Sequence, residues 1–162
     1  SGCIAVSVAA NCPRADVTAV EIDEAVVEVA TKNADANDVS DRVTVLHGDL
    51  FEPLGLDDQF EIIASNPPYI TDAEMEELQP DVRLHEPDLA LRGGADGLDF
   101  VRKLIDGAPR RLVSGGVLLL EIGCDQAEAV QKLFADAGVF EPAEIVKDLG
   151  GRSRVVWAKK KS

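Results

Sequence analysis

The sequence has little of what builds disulfide frameworks, metal clusters or membrane spans. Its three cysteines and two histidines are scattered, and no two cysteines have the Cys-x-x-Cys spacing. This pattern predicts neither a disulfide framework nor a zinc site. The sequence also lacks an apolar run near the ~18 residues of a membrane span, and a charged-then-apolar signal at its start. We therefore expect a cytoplasmic protein with no metal ion and no membrane partner.

Positive charge is also scarce. The chain has 16 Lys and Arg residues against 30 Asp and Glu residues, which gives a net charge of −14 at pH 7. Duplex-binding proteins gain much of their affinity by neutralising phosphates with Lys and Arg, so nucleic acid is disfavoured as a partner. The length of 162 residues and the 46% of hydrophobic residues fit one globular domain, 1–162, with a substantial core.

Strand-like and helix-like segments alternate along the chain. We predict strands at 17–23, 43–49, 61–65 and 116–123, helices at 3–10, 24–38, 98–112 and 125–137, and two final strands near 140–149 and 153–159. The stretch 70–97 is loop-like, and the apolar strands are expected to be buried. Alternating strands and helices indicate an α/β fold with a mostly parallel sheet. No helix separates the last two strands, so one of them should be antiparallel.

Polar side chains end three successive predicted strands. Glu21, Asp49 and Asn66 each fall at the carboxyl end of a strand. Ligands bind at those ends in open α/β sheets, so the pattern predicts a binding cleft. The alternative for each acidic residue is a solvated loop or a helix cap.

The segment Asn66-Pro-Pro-Tyr69 follows the third strand. Two successive prolines remove two backbone donors and fix φ twice, so neither a sheet nor a helix continues through them. Asn66 is thereby held on stiff backbone at the mouth of a strand. The alternative interpretation is an ordinary strand-terminating turn.

Several motifs carry a resemblance that runs nearly end to end: "SGCIAVSVA", "VTAVEIDEAVVEVATKNA", "GDLFEPL", "SNPPYI", "EPDLALRGGADGLDF", "SGGVLLLEIGCDQAEAV" and "DLGGRSRVV". On these the chain resembles the catalytic domain of the PrmC/HemK glutamine-N5 methyltransferases, which modify the Gly-Gly-Gln loop of class-I peptide chain release factors. The resemblance implies a Rossmann-like class I methyltransferase sheet, mostly parallel with an antiparallel C-terminal strand. Asn-Pro-Pro-Tyr also occurs in adenine-N6 DNA methyltransferases, so the glycine-rich and C-terminal motifs are the specific ones.

The resemblance implies S-adenosylmethionine as methyl donor and gives residues of this chain a role in binding it. Glu21 would accept hydrogen bonds from the ribose hydroxyls, and Asp49 from the adenine amino group, with Leu50 packing on the base. Gly2 belongs to the tail of a glycine-rich loop near the methionine part. Asn66 would also touch the methionine end.

The same resemblance implies that the acceptor is a carboxamide. Asn66 and the Pro67 carbonyl would accept its two N–H groups, Pro68 would help to leave that carbonyl free, and Tyr69 would pack on the planar amide. Apart from the resemblance, Glu86 and Asp96 lie in the loop-like stretch after this segment and could shape a pocket for a protein loop, the alternative being a solvated acidic loop.

Three alternatives to a release-factor substrate stay open: a glutamine of a ribosomal protein, an adenine-N6 position of nucleic acid, or a non-catalytic α/β module. Only Ser1 and Gly2 remain of the family's glycine-rich loop. We expect its first strand and its N-terminal helical domain to be missing from this chain, which would weaken cofactor binding by the chain alone.

Overall fold

The computed structural model describes residues 1–77 and 87–162. The chain forms two compact units, Ser1–Asp57 and Asp58–Ser162. The predicted substrate residue Glu86 lies outside the described residues, so its role stays a prediction.

The first unit alternates helices and parallel strands. Its elements are α1 Cys3–Asn11, β1 Val17–Glu21, α2 Glu24–Ala36 and β2 Val43–His47, which confirms the predicted order. β1 and β2 pair in parallel. The Asp23 carboxylate accepts the Ala25 amide at 2.8 Å and so caps the start of α2. Small apolar residues make up the core of this unit: Ala5, Val6, Ala9, Ala34, Val39 and Val43.

The second unit contains the larger sheet. Its elements are β3 Phe60–Ser65, β4 Ile70–Thr71, α3 Asp72–Glu77, α4 Asp88–Leu91, β5 Arg92–Gly94, α5 Asp99–Gly107, a 3₁₀ turn Ala108–Arg110, β6 Leu112–Glu121, α6 Ala127–Ala137, β7 Glu144–Lys147 and β8 Ser153–Lys159. The strand order is β3-β6-β8-β7. β3 and β6 are parallel, whereas β8 is antiparallel to both of its neighbours. β8 is therefore the predicted antiparallel strand.

The prediction of a loop over 70–97 was wrong in its described part. β4 and β5 pair in parallel, and α3 and α4 lie between them in the chain. A capping box starts α3: the Thr71 hydroxyl accepts the Glu74 amide at 3.2 Å, and the Glu74 carboxylate accepts the Thr71 amide at 3.0 Å. The Thr-x-x-Glu spacing was a sequence signal for this helix.

The prediction that β3 is buried was also wrong. Ile62 is 62% exposed, and Ala64 is exposed as well. β3 lies at the edge of the four-stranded sheet and, within residues 1–77 and 87–162, pairs with no strand other than β6. The core of this unit centres on β6, α6 and β8, with the fully buried side chains Leu112, Leu118, Leu120, Ile122, Val130, Phe134 and Val156.

Candidate functional site

In the first unit, the ends of β1 and β2 lie side by side. Glu21 is in register with His47, and the Gly48 amide donates to the Glu21 carbonyl at 2.9 Å. The turn that contains Asp49 therefore follows directly beside Glu21. The Glu21 side chain uses Oε1 to accept the Asp23 amide at 3.2 Å. Its Oε2 has no hydrogen-bond partner in the described part of the chain and can accept from a ligand.

Asp49 begins a tight turn, because its carbonyl accepts the Glu52 amide at 2.9 Å. The backbone of Asp49 is thus part of a turn. Its carboxylate makes no hydrogen bond or ion pair within the described ranges. The next residue, Leu50, has φ 48°. The left-handed region is uncommon for residues other than glycine and costs free energy, so this turn holds Leu50 in a constrained position.

Gly2 also has a left-handed backbone, with φ 70°. A Cβ atom at this position would lie 2.9 Å from the Cβ atom of Ala30 on α2. The Gly2 carbonyl accepts the Val6 amide at 2.9 Å in the first turn of α1. Both the backbone conformation and the close approach of α2 require glycine here.

In the second unit, Asn66-Pro-Pro-Tyr69 follows β3 as predicted. Asn66 is exposed, Pro67 is buried, and Pro68 and Tyr69 are half-buried. The Asn66 side chain makes no hydrogen bond to any described residue. An exposed carboxamide on a rigid, partly buried backbone is suited to binding a polar group from outside the chain.

Two residues that the sequence reasoning did not single out contact this segment. The Gln126 side chain donates from Nε2 to the Tyr69 carbonyl at 3.1 Å and to the Gly97 carbonyl at 3.3 Å. Gly97 itself lies against the Tyr69 carbonyl. Glutamine at a helix start has no distinctive sequence signal. Gly97, in contrast, belongs to the glycine-rich motif that was recognised as specific.

A pocket of about 300 Å³ lies beside Tyr69 within the second unit, and its lining includes Glu74, Asp96, Gln126 and Arg154. Hydrogen bonds from the backbone and hydroxyl of Thr71 lower the pKa of Glu74.

Asp96 lines the same pocket, and its role in holding a protein loop stays a prediction. A hydrogen bond from the Arg102 guanidinium lowers the pKa of Asp96. Because the pKa of Glu74 is lowered as well, both carboxylates are ionised at neutral pH, and the Arg154 side chain supplies positive charge on the wall.

The predicted residues fall into both units. Gly2, Glu21, Asp49 and Leu50 lie in the first, and Asn66 to Tyr69 lie in the second. The joint cleft formed by all three strand ends therefore stays a prediction.

Neither a metal cluster nor a membrane span is found among residues 1–77 and 87–162. No group of three or more His, Cys, Asp or Glu side chains there is placed to hold a metal ion. No helix in those ranges is long and apolar enough to cross a membrane.

Comparison with known proteins gives a consistent result. The model of the family "Methyltransferase small domain" matches residues 1–84. A release factor glutamine methyltransferase of Geobacter sulfurreducens is 47% identical over 156 residues, which cover 96% of this chain and 54% of that protein. The chain thus spans about half the length of the curated relatives it matches.

Solved structures agree on the fold. A methyltransferase from Pyrococcus furiosus superposes with a TM-score of 0.70 at 18% identity, covering 99% of this chain and 70% of that one. An RNA methyltransferase from Salinibacter ruber, in complex with S-adenosyl-L-homocysteine, has a TM-score of 0.58 at 20% identity and covers 99% and 75% of the two chains. The predicted class I methyltransferase fold is confirmed.

Proposed function

The chain belongs to the methyltransferase small domain family, and we propose that it transfers a methyl group from S-adenosylmethionine. The acceptor is the glutamine side-chain nitrogen in the Gly-Gly-Gln loop of class-I peptide chain release factors. The observation that carries the proposal is the similarity of 96% of this chain to a release factor glutamine methyltransferase of Geobacter sulfurreducens, at 47% identity. The curated relatives are about twice as long as this chain, so the activity is proposed for the protein as a whole. We place the activity in the cytoplasm.

The first unit offers groups that fit the nucleoside part of S-adenosylmethionine. The free Oε2 of Glu21 would accept from ribose hydroxyls, which is the usual role of an acidic residue at this strand end. The Asp49 carboxylate would accept from the adenine amino group, and the constrained Leu50 would pack on the base. Gly2 would allow the backbone to approach the methionine part. When bound, the donor supplies an electrophilic methyl group on a sulfonium centre.

The second unit offers groups that fit the acceptor. A carboxamide nitrogen is a poor nucleophile because its lone pair is delocalised, so catalysis must come mainly from alignment and electrostatics. The Asn66 side-chain oxygen and the Pro67 carbonyl would accept the two N–H groups of the substrate amide. Pro68 has no N–H group, and Tyr69 would pack on the amide and exclude water. The nitrogen lone pair forms the new N–C bond as the S–C bond breaks, and the extra proton then leaves to water.

An acceptor-competition experiment tests the proposal. The protein, expressed from its complete gene, is incubated with labelled S-adenosylmethionine in three separate reactions, which contain a release factor, a ribosomal protein or DNA. We expect label in the release factor alone. A release factor with Glu in place of the Gly-Gly-Gln glutamine is the matched control, because it lacks only the acceptor nitrogen. Label in the ribosomal protein or DNA alone, or in none of the three, would overturn the proposal.

A further inference from the structure

We propose that Gln126 is a positioning residue that fixes the Asn66–Tyr69 segment for the acceptor amide. The inference rests on the proposed function, because it assigns that segment to the acceptor. Gln126 does not contact the reacting atoms in this assignment. It acts through the backbone carbonyl of Tyr69.

The Gln126 side chain joins three loops of the second unit. Its Nε2 donates to the Tyr69 carbonyl at 3.1 Å and to the Gly97 carbonyl at 3.3 Å. Its Oε1 accepts the Gly123 amide at 2.9 Å. The three partners follow β3, β5 and β6, so one carboxamide links the Asn66–Tyr69 segment to two neighbouring loops.

The position of Gln126 in its helix supports a role outside the helix. Gln126 is the N-cap residue of α6, yet its side chain makes no capping hydrogen bond. Ser, Thr, Asp and Asn are preferred at this position because their short side chains reach the free amides of the first turn. The longer glutamine instead reaches across to the loops.

The close packing at Gly97 explains why an amide side chain is needed at position 126. A Cβ atom on Gly97 would lie 2.3 Å from the Tyr69 carbonyl oxygen, so the two loops are packed backbone to backbone. The carbonyl groups of Tyr69 and Gly97 meet here, and neither can donate a hydrogen bond to the other. A carboxamide NH₂ carries two hydrogens and can serve both oxygens, whereas a buried carbonyl left without a donor is costly.

Loss of the Gln126 amide should therefore loosen Tyr69 without changing the groups of the first unit that are proposed to bind the methyl donor. A misplacement of about 1 Å in a positioned group can cost roughly 10² in rate. The effect is expected on turnover of the acceptor, because Tyr69 and the Pro67 carbonyl, two residues earlier, are the groups proposed to contact the acceptor amide.

The test compares Gln126→Glu with Gln131→Glu. The carboxylate at 126 can still accept the Gly123 amide, but it cannot donate to the two carbonyls and would repel them. Gln131 lies on the same helix and donates to the Ala143 carbonyl at 2.6 Å, so it is a matched loss of an amide-to-carbonyl hydrogen bond. We expect kcat for release factor to fall roughly 10²-fold in Q126E and to change less than about twofold in Q131E, with S-adenosylmethionine affinity retained in both. Equal activity of the two variants would overturn the inference.

A second readout does not depend on activity. The 162-residue chain has a single tyrosine, so labelling tyrosine with ¹³C at the carbonyl gives one signal that reports on Tyr69. We expect this signal to shift in Q126E and in Gln126→Asn, whose amide is one methylene too short, and to stay in place in Q131E. An unmoved signal in both Gln126 variants would overturn the inference. If the unaltered protein methylates nothing, the proposed function fails, while the carbonyl signal still decides the role of Gln126.

Discussion

At the scale of single residues, the Asn66–Tyr69 segment combines one exposed side chain with a tightly held backbone. The Asn66 carboxamide is exposed, whereas Pro67 is buried and the Tyr69 carbonyl is hydrogen-bonded to Gln126. The segment can thus present hydrogen-bonding atoms to a substrate without rearranging.

Asn66→Ala is expected to abolish most methyl transfer. Its oxygen would orient the acceptor amide, and a lost contact of this kind typically costs about 10²–10³ in rate. Affinity for S-adenosylmethionine should stay within a few-fold, since Asn66 is proposed to reach only the methionine end of the donor. Single-turnover kinetics together with titration calorimetry would measure both quantities. Full activity in the variant would contradict the proposed mechanism.

Gly97→Ala is expected to be more disruptive than Gly138→Ala. Both glycines have left-handed backbones, with φ 74° and 72°, so both substitutions carry a similar backbone cost of about 1–2 kcal/mol. Only at Gly97 would the new Cβ atom meet the Tyr69 carbonyl, because no atom of the described residues lies within 4 Å of a Cβ atom at Gly138. Urea unfolding should show a larger loss for G97A, accompanied by lower methyl transfer. Equal losses in the two variants would show that the loops can separate freely.

At the scale of elements, Asp96 ties the turn after β5 to α5. Its carboxylate accepts the Leu98 amide at 3.2 Å and the Arg102 guanidinium at 3.0 Å. Arg102 also pairs with Asp99 at 3.2 Å. The start of α5 is therefore held to the glycine-rich turn by charge-assisted hydrogen bonds, whose strength depends on the ionisation of Asp96.

This arrangement predicts a loss of stability in acid. The Arg102 guanidinium holds the pKa of Asp96 below its ordinary value. A carboxyl group with a lowered folded-state pKa stabilises the fold above its unfolded pKa, about 3.9, and this contribution is lost as the pH falls through its folded pKa. The free energy of unfolding should therefore decrease as the pH is lowered below about 4.

Asp96→Asn should remove part of that pH dependence. Asp106→Asn on α5 is the control, because the Asp106 carboxylate has no partner among the described residues. Denaturant unfolding at a series of pH values would compare the three proteins. A D96N protein with the same acid dependence as the unaltered chain would contradict the role given to Asp96.

Regular elements were predictable from the sequence where their patterns are long. The alternation of β-branched segments with helical spacing was enough for β1, α2, β2, β6 and α6. The two-residue β4 was missed because a pair of residues has no periodicity. The burial of β3 was misjudged because apolar residues such as Ile62 indicate a strand but do not say whether another element covers it.

The candidate site was predictable to a similar degree. Glu21 and Asp49 were identified from their places at strand ends, and Asn66 from the two prolines that follow it. Gln126 could not be identified, since its importance comes from contacts with residues 57 and 29 positions away in the chain. Such long-range hydrogen bonds leave no local pattern.

At the scale of the whole molecule, the proposed work divides between the two units. The first carries the groups proposed for the methyl donor, and the second carries those proposed for the acceptor. Glu21→Ala is therefore expected to weaken S-adenosylmethionine binding by about 1–3 kcal/mol, the cost of losing charge-assisted hydrogen bonds. Titration calorimetry would measure this, with Gln131→Glu as a control in the second unit. Unchanged affinity in E21A would mean that Glu21 is only a solvated strand end.

The central claim is that the acceptor atom is a glutamine side-chain nitrogen of a release factor. The most direct test is mass spectrometry of the Gly-Gly-Gln peptide from a release factor. The release factor is first incubated with S-adenosylmethionine and with the protein expressed from its complete gene. The account predicts that this peptide gains one methyl group, that fragmentation places it on the glutamine side chain, and that Asn66→Ala prevents the gain. A methyl group on any other residue, or an unmodified Gly-Gly-Gln peptide beside a methylated ribosomal protein or DNA, would contradict it.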